Sequence, residues 1–85
     1  MPLRPPAHFL LYSRPGCHLC ELMQQRLADA LPAGAYQVQI VDVDADPATR
    51  ARWGHEIPVL VLGGKLVCHG SLDLEELHKA LAQHH

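Results

Sequence analysis

The segment Ile57-Pro58-Val59-Leu60-Val61-Leu62-Gly63-Gly64-Lys65-Leu66-Val67-Cys68-His69 decides the fold. Val59 to Leu62 is apolar without a break, the pattern of a strand covered on both faces. Gly63-Gly64 is a two-residue hairpin signal. Lys65 to His69 returns with alternating character, as an edge strand with one wet face would. The pair is therefore predicted to be antiparallel. Pro58 has no N–H to give a ladder, so it belongs at the strand's start or in a turn before it. By position alone, a trans proline punctuating the loop is the ordinary case, because cis is the minority isomer.

Working outward, His8-Phe9-Leu10-Leu11-Tyr12 reads as a second central strand, ended by Pro15-Gly16. A helix follows, with Leu19, Leu22, Met23, Leu27 and Ala30 predicted to form one inward stripe, stopped by Pro32 and Gly34. Tyr36-Gln37-Val38-Gln39-Ile40 alternates and suits the other edge strand. Asp46-Pro47 opens a short helix, with Asp46 as N-cap and Gly54 expected in a left-handed C′ conformation. Ser71 or Asp73 caps a last helix, with Leu74, Leu77 and Leu81 inward and Glu75, Glu76 and Lys79 outward. A strand, a crossover helix and a strand imply parallel pairing. The order is thus β-α-β-α-β-β-α: an α/β protein with a four-stranded mixed sheet flanked by helices, which is the thioredoxin-fold arrangement.

Composition limits what such a domain does. The 85 residues suit one domain spanning 1–85, with residues 1–7 as a loose, proline-rich lead-in. Apolar residues make up 48%, enough for a core, and seven Lys+Arg against nine Asp+Glu give a charge of -2. That balance provides no basic footprint for nucleic acid and no polybasic membrane anchor. The longest apolar runs fall far short of the ~20 residues of a membrane span, and the N-terminus does not read as a signal peptide. A monomer in the cytoplasm is expected. In a reducing compartment, three cysteines at Cys17, Cys20 and Cys68 make a poor disulfide framework. Redox chemistry or metal binding is the better reading of Cys17-His18-Leu19-Cys20.

The pair lies where the first strand turns into the first helix. Unpaired N–H groups and the positive end of the helix dipole favour a thiolate over a thiol there. Arg14, three residues ahead, adds a cation, and a protonated His18 between the cysteines would act in the same sense. The i, i+3 spacing lets the two sulfurs bridge. Cys17, nearer the loop, is expected to be the exposed nucleophile and Cys20 the more buried resolving thiol. His55 and His69 read as solvated surface histidines, Trp53 and Tyr36 as packing anchors, and Cys68 as a half-buried strand residue. Asp42-x-Asp44-x-Asp46 lacks the glycine and distal Glu of a calcium loop and reads as solvated.

Beside this reading stands a family resemblance. Tyr12-Ser13-Arg14-Pro15-Gly16-Cys17-His18-Leu19-Cys20 resembles the Tyr-Ser-(Lys/Arg)-x-x-Cys-Pro-Tyr-Cys segment of glutaredoxins, a branch of the thioredoxin superfamily. Ile57-Pro58-Val59 resembles their Thr-Val-Pro turn, and Gly64-Lys65 and Leu72 to Leu77 resemble their closing strand and helix. The resemblance covers nearly all of residues 8 to 82. It implies a cis Pro58 opposite Cys17, with Arg14 and Pro58 supporting the catalytic Cys17 and Cys20, to which His18 adds its own charge as read above. It also implies that Tyr12, Ile57, His69, Gly70 and Ser71 meet a peptide-like substrate or glutathione, Ile57 through its backbone. The chain departs from the family at His18, Leu19, Glu56 and Cys68 to Ser71, so glutathione is expected to bind more weakly than usual.

Together these features predict a dithiol thiol–disulfide oxidoreductase that reduces protein or glutathione mixed disulfides. It would have no bound cofactor and no metal, and glutathione would serve as a possible co-substrate. A metal-binding Cys-x-x-Cys module and a redox-inert adaptor on the same fold remain as alternatives.

Overall fold

The structure, a computed structural model, describes residues 6–84. Its elements are β1 (Ala7–Ser13), α1 (His18–Ala30), β2 (Tyr36–Asp42), α2 (Pro47–Trp53), β3 (Val59–Leu62), β4 (Lys65–His69) and α3 (Leu74–Gln83). The expected lead-in over 1–7 is corrected at its end. Ala7 is buried in β1 and donates its N–H to Ala35 O at 3.0 Å, while residues 1–5 lie outside the described part.

The sheet order is β2-β1-β3-β4. β1 pairs parallel with β2 and antiparallel with β3, and β3 pairs antiparallel with β4. The unbroken apolar strand and the alternating ones thus occupy the central and edge places that their patterns require. The hairpin turns on Gly63 and Gly64, with φ of 60° and 80°.

Phe9 and Leu11 of β1, Leu60 and Leu62 of β3, Met23 and Leu27 of α1 and Leu77 of α3 form the main core, each under 5% exposed. Helices α1 and α3 therefore share one face of the sheet. Helix α2 reaches the other face through Trp53, whose ring stacks on Tyr12 at 6.2 Å between centroids. Core burial of this kind is worth roughly 1.5–3 kcal/mol per large apolar side chain.

Several side chains depart from the expected faces. Leu19 and Leu74 are half exposed, each in the opening turn of its helix at the rim of the buried stripe. Leu72, just ahead of α3, is buried in place of Leu74. Ile40 shares a face with Leu11 but stays uncovered on the edge strand. In β4 the alternation breaks because of a register shift: Leu60 faces Cys68 and Val61 faces Leu66, leaving Val67 as the extra residue. Val67 and Cys68 are consequently both buried, so Cys68 lies deeper than half-buried.

Gly54 corrects another expectation. It caps α2 in right-handed geometry, φ -56° and ψ -28°, rather than left-handed. What favours glycine there is close approach: a Cβ would sit 2.5 Å from Arg50 O. Asp73, not Ser71, caps α3, accepting from Glu76 N at 3.2 Å.

Candidate functional site

Strand β1 delivers the chain to a tight turn, Arg14-Pro15-Gly16-Cys17. Pro15 presets φ for the second position, Gly16 takes φ 79° at the third, and Cys17 N–H donates to Arg14 O at 3.1 Å. These are the requirements of a type II turn, met by the two residues that supply them most cheaply. The turn sets Cys17 as the N-cap of α1, with extended φ and ψ of -77° and 105°. Its Sγ accepts from Cys20 N–H at 3.2 Å.

Cys17 and Cys20 are joined as a disulfide, Cα to Cα 5.2 Å. Cys20 is 2% exposed and Cys17 is partly open, the order of accessibility their spacing predicts. As N-cap of the 13-residue α1, the Cys17 sulfur stands at the positive end of the helix dipole, beside the Cys20 N–H.

The Ile57–Pro58 peptide is cis. In the antiparallel register Tyr12 faces Val59, so Pro58 falls beside Ser13, at the strand end from which the 14–17 turn departs. His69 faces Val59 from the other side, and Gly70 N–H donates to Pro58 O at 2.8 Å. Gly70 takes φ 79° to make that bond. The ends of β1 and β4 and the start of β3 therefore meet at one edge of the sheet. Tyr12, Pro58, His69 and Gly70 gather there with the turn that carries Cys17.

The other expected site residues are placed less tightly. His18 is exposed at the start of α1, Ile57 is half-buried, and His69 and Ser71 are exposed. Arg14 differs most from expectation. Its guanidinium forms a two-pronged ion pair with Asp44, Nε to Oδ2 at 2.7 Å and Nη2 to Oδ1 at 3.0 Å. Its charge is thus balanced by a carboxylate rather than left free for the sulfur. The hydrogen bonds and charge of this pair raise the Arg14 guanidinium's pKa and lower that of the Asp44 carboxyl.

Asp44 is a residue that sequence reasoning missed. The acidic run in which it lies was visible, but its partner is 30 positions away. Of that run, Asp42 Oδ1 accepts from Asp44 N at 2.9 Å and Asp46 caps α2, so all three carboxylates have structural work. Beside the turn, Arg14, Pro47, Arg50, Ala51, Gly54 and His55 line a groove of about 350 Å³. Arg52 stacks over Trp53 at 4.6 Å from its centroid, which lends Trp53 a cationic cover not foreseen from sequence. Cys68 is free and buried, and burial pushes its thiol's pKa up. Among the described residues no three His, Cys, Asp or Glu side chains converge as a metal-holding group. Nor is any described helix long and apolar enough to cross a membrane.

Comparison with known proteins agrees with this architecture. The solution structure of protein Ne2328 from Nitrosomonas europaea superposes with a TM-score of 0.82 at 25% identity, covering 93% of this chain and 95% of that one. A crystal structure of a mutant of the thioredoxin-like protein BC3987 superposes with a TM-score of 0.59 over 87% of this chain and 94% of that one. At 23% identity it speaks for the fold, which is the thioredoxin fold. The uncharacterized protein Rv0508 of Mycobacterium tuberculosis (strain ATCC 25618 / H37Rv) is 27% identical over 78 residues, 86% of this chain and 80% of the relative. The uncharacterized protein Mb0520 of Mycobacterium bovis matches to the same extent. Residues 8–82 match the family described as Glutaredoxin-like domain (DUF836), and the chain belongs to that family, with its Cys17–Cys20 pair at disulfide distance on a thioredoxin fold.

Proposed function

We propose that the protein is a dithiol thiol–disulfide oxidoreductase acting on protein disulfides or on mixed disulfides with glutathione. The observation that carries this reading is the Cys17–Cys20 disulfide at the N-cap of α1, with one sulfur partly open and the other buried. A pair so placed is built to open and close.

In the reduced protein, Cys17 thiolate attacks one sulfur of a substrate disulfide. A Cys17–substrate bond forms, the substrate S–S bond breaks, and the departing thiolate takes up a proton. Cys20 then gives up its proton and attacks Cys17 Sγ, forming the intramolecular disulfide and releasing the second substrate thiol. Two electrons have passed from the protein dithiol to the substrate. Two glutathione molecules, or one dithiol protein, return them. No bound cofactor takes part, and a monomer in a reducing compartment such as the cytoplasm suffices.

The arrangement also suggests how a substrate lies. The Ile57 backbone precedes the cis proline at the sheet edge that holds Cys17, where an extended chain can add strand-like hydrogen bonds. Tyr12, His69, Gly70 and Ser71 border the same edge and would flank it.

The test uses reduced protein and limiting iodoacetamide at about pH 6, well under the free-thiol pKa of ~8.5. Peptide mapping should find label chiefly at Cys17. With Cys20→Ser, the mixed disulfide at Cys17 should accumulate on exposure to oxidised glutathione or a disulfide peptide. Labelling of Cys20 or Cys68 first would overturn this assignment of roles, and equal slow labelling of all three would favour a redox-inert adaptor.

A further inference from the structure

We propose that Asp44 is a positioning residue for Cys17: by clamping Arg14 it keeps the guanidinium's charge from acting on the sulfur alone. The inference deepens the oxidoreductase reading and rests on it for its biological meaning. Its readout, the chemistry of the Cys17 thiol, does not require that reading.

The geometry behind it is a short relay. Asp42 Oδ1 holds Asp44 N–H at 2.9 Å, and the Asp44 carboxylate grips Arg14 with two bonds of 2.7 and 3.0 Å. Arg14 O accepts Cys17 N–H at 3.1 Å, closing the turn that sets the N-cap. Ser13 O, on the residue before Arg14, accepts Val43 N–H at 2.8 Å, on the residue before Asp44. The two loops are thus stitched by backbone and side chain at adjacent positions. A two-pronged Arg–carboxylate pair fixes both charge and orientation.

Other charges stand on the elements near the turn: Asp42, at the end of β2, also acts on Arg14, and Asp46 caps α2. His18 and Glu21 stand on α1, Arg50 and Arg52 on α2. His55 and Glu56 precede the cis proline, and His69 ends β4. Each is exposed and shared by every variant compared below. What distinguishes Arg14 is that it lies in the same four-residue turn as Cys17, and its counter-charge can be removed without touching α1.

The experiment measures the alkylation rate of Cys17 against pH in a Cys20→Ser, Cys68→Ser background, by stopped-flow or mass spectrometry. Asp44→Asn keeps an oxygen acceptor for Arg14 but removes the balancing charge. It should move the rate profile to lower pH and raise the rate at pH 6 by about two- to fivefold, the effect of one exposed unit charge within a turn's reach. Arg14→Gln leaves Asp44 uncompensated and should move the profile the other way. The double replacement, electrically neutral like the parent pair, should return close to the parent. Both shifts should shrink in ~1 M salt, where the screening length is ~3 Å.

A merely structural role would move the two single variants in the same direction, because both would loosen one turn. That result overturns the proposal, as does a profile that stays put or shifts upward in Asp44→Asn. Failure of the oxidoreductase reading would look different: the charge shifts would persist while no substrate disulfide was reduced.

Discussion

Gly54→Ala sets two effects of known size against each other. The backbone at Gly54, φ -56° and ψ -28°, suits alanine, and replacing glycine at a compatible site gains about 0.4–1 kcal/mol by restricting the unfolded chain. Against this, the new Cβ would lie 2.5 Å from Arg50 O and 3.3 Å from Arg50 Cγ. The side chain can swing away, but the carbonyl cannot. It already accepts Gly54 N–H at 2.8 Å to close the last turn of α2. Relief requires a backbone shift, and overpacking of this kind costs typically ~1–3 kcal/mol. The contact should win, leaving the variant about 1–2 kcal/mol less stable and its melting midpoint roughly 5–15 °C lower for a domain of this size. Urea unfolding should show a lower midpoint at unchanged slope. Trp53, the one tryptophan in the sequence, sits in the turn that must move, so its fluorescence should change in the folded state. A variant as stable as the parent, or more so, would refute the contact reasoning and leave only the entropy term.

Cys68→Val should alter stability in alkali. Burial first, and the Asp73 and Glu76 charges next, raise the Cys68 thiol's pKa, partly offset by an Asp73 backbone hydrogen bond. The neutral thiol's contribution is therefore full below the unfolded pKa of ~8.5 and is lost as pH rises through the folded value. In urea titrations the parent should lose stability relative to the valine variant above about pH 9, and parallel curves would show that Cys68 does not ionise on unfolding. Gly70→Ala places a Cβ at φ 79° and should cost about 1–2 kcal/mol while retaining the bond to Pro58 O. Unchanged chemical denaturation would show that the turn relaxes without strain. On the proposed function, Glu56→Thr should raise turnover of glutathione mixed disulfides about two- to tenfold by removing an exposed carboxylate that repels glutathione's own. An unchanged or reduced rate would show that Glu56 does not meet the substrate.

The sheet was legible because each strand's pattern matches its neighbours. Val59 to Leu62 is buried throughout and had no polar residue to misplace. The hairpin's two glycines take the backbone angles their identity suggests. Errors gathered where a residue's neighbours come from elsewhere in the chain. Leu19 and Leu74 satisfy a helical stripe in sequence, yet nothing covers the opening turns in which they stand. Periodicity records direction around a helix, not what lies opposite. The β4 register shift that buries both Val67 and Cys68 is likewise a property of two strands together. At the site, the cysteines were legible because local geometry sets their places, whereas the cis form of Pro58 was legible only through the family resemblance, since position alone favours trans. The Arg14–Asp44 pair was not legible, since its bond depends on two loops that meet only when β1 and β2 lie side by side.

That meeting explains why so few residues set the site. Parallel pairing of β1 with β2 ends at Ser13 facing Asp42, so the loops that follow must leave the sheet together. One carries Arg14 and Cys17 into α1; the other carries Asp44 and Asp46 into α2. The cis proline arrives beside Ser13 on the opposite flank of β1, because β3 runs antiparallel from Val59 facing Tyr12. A central strand flanked on one side by a parallel neighbour and on the other by an antiparallel one therefore brings three loops to its end. Pro15 and Gly16 close the middle loop into a turn, which leaves Cys17 no place but the helix cap. Three residues on, Cys20 is carried one turn into the core side of the same helix. The inequality of the two sulfurs, one partly open and one buried, thus follows from a turn of two residues and a rise of one helical turn. A change that lengthens the turn would carry Cys17 off the cap and away from the Cys20 N–H, while Cys20, held by its face of the helix, would stay buried.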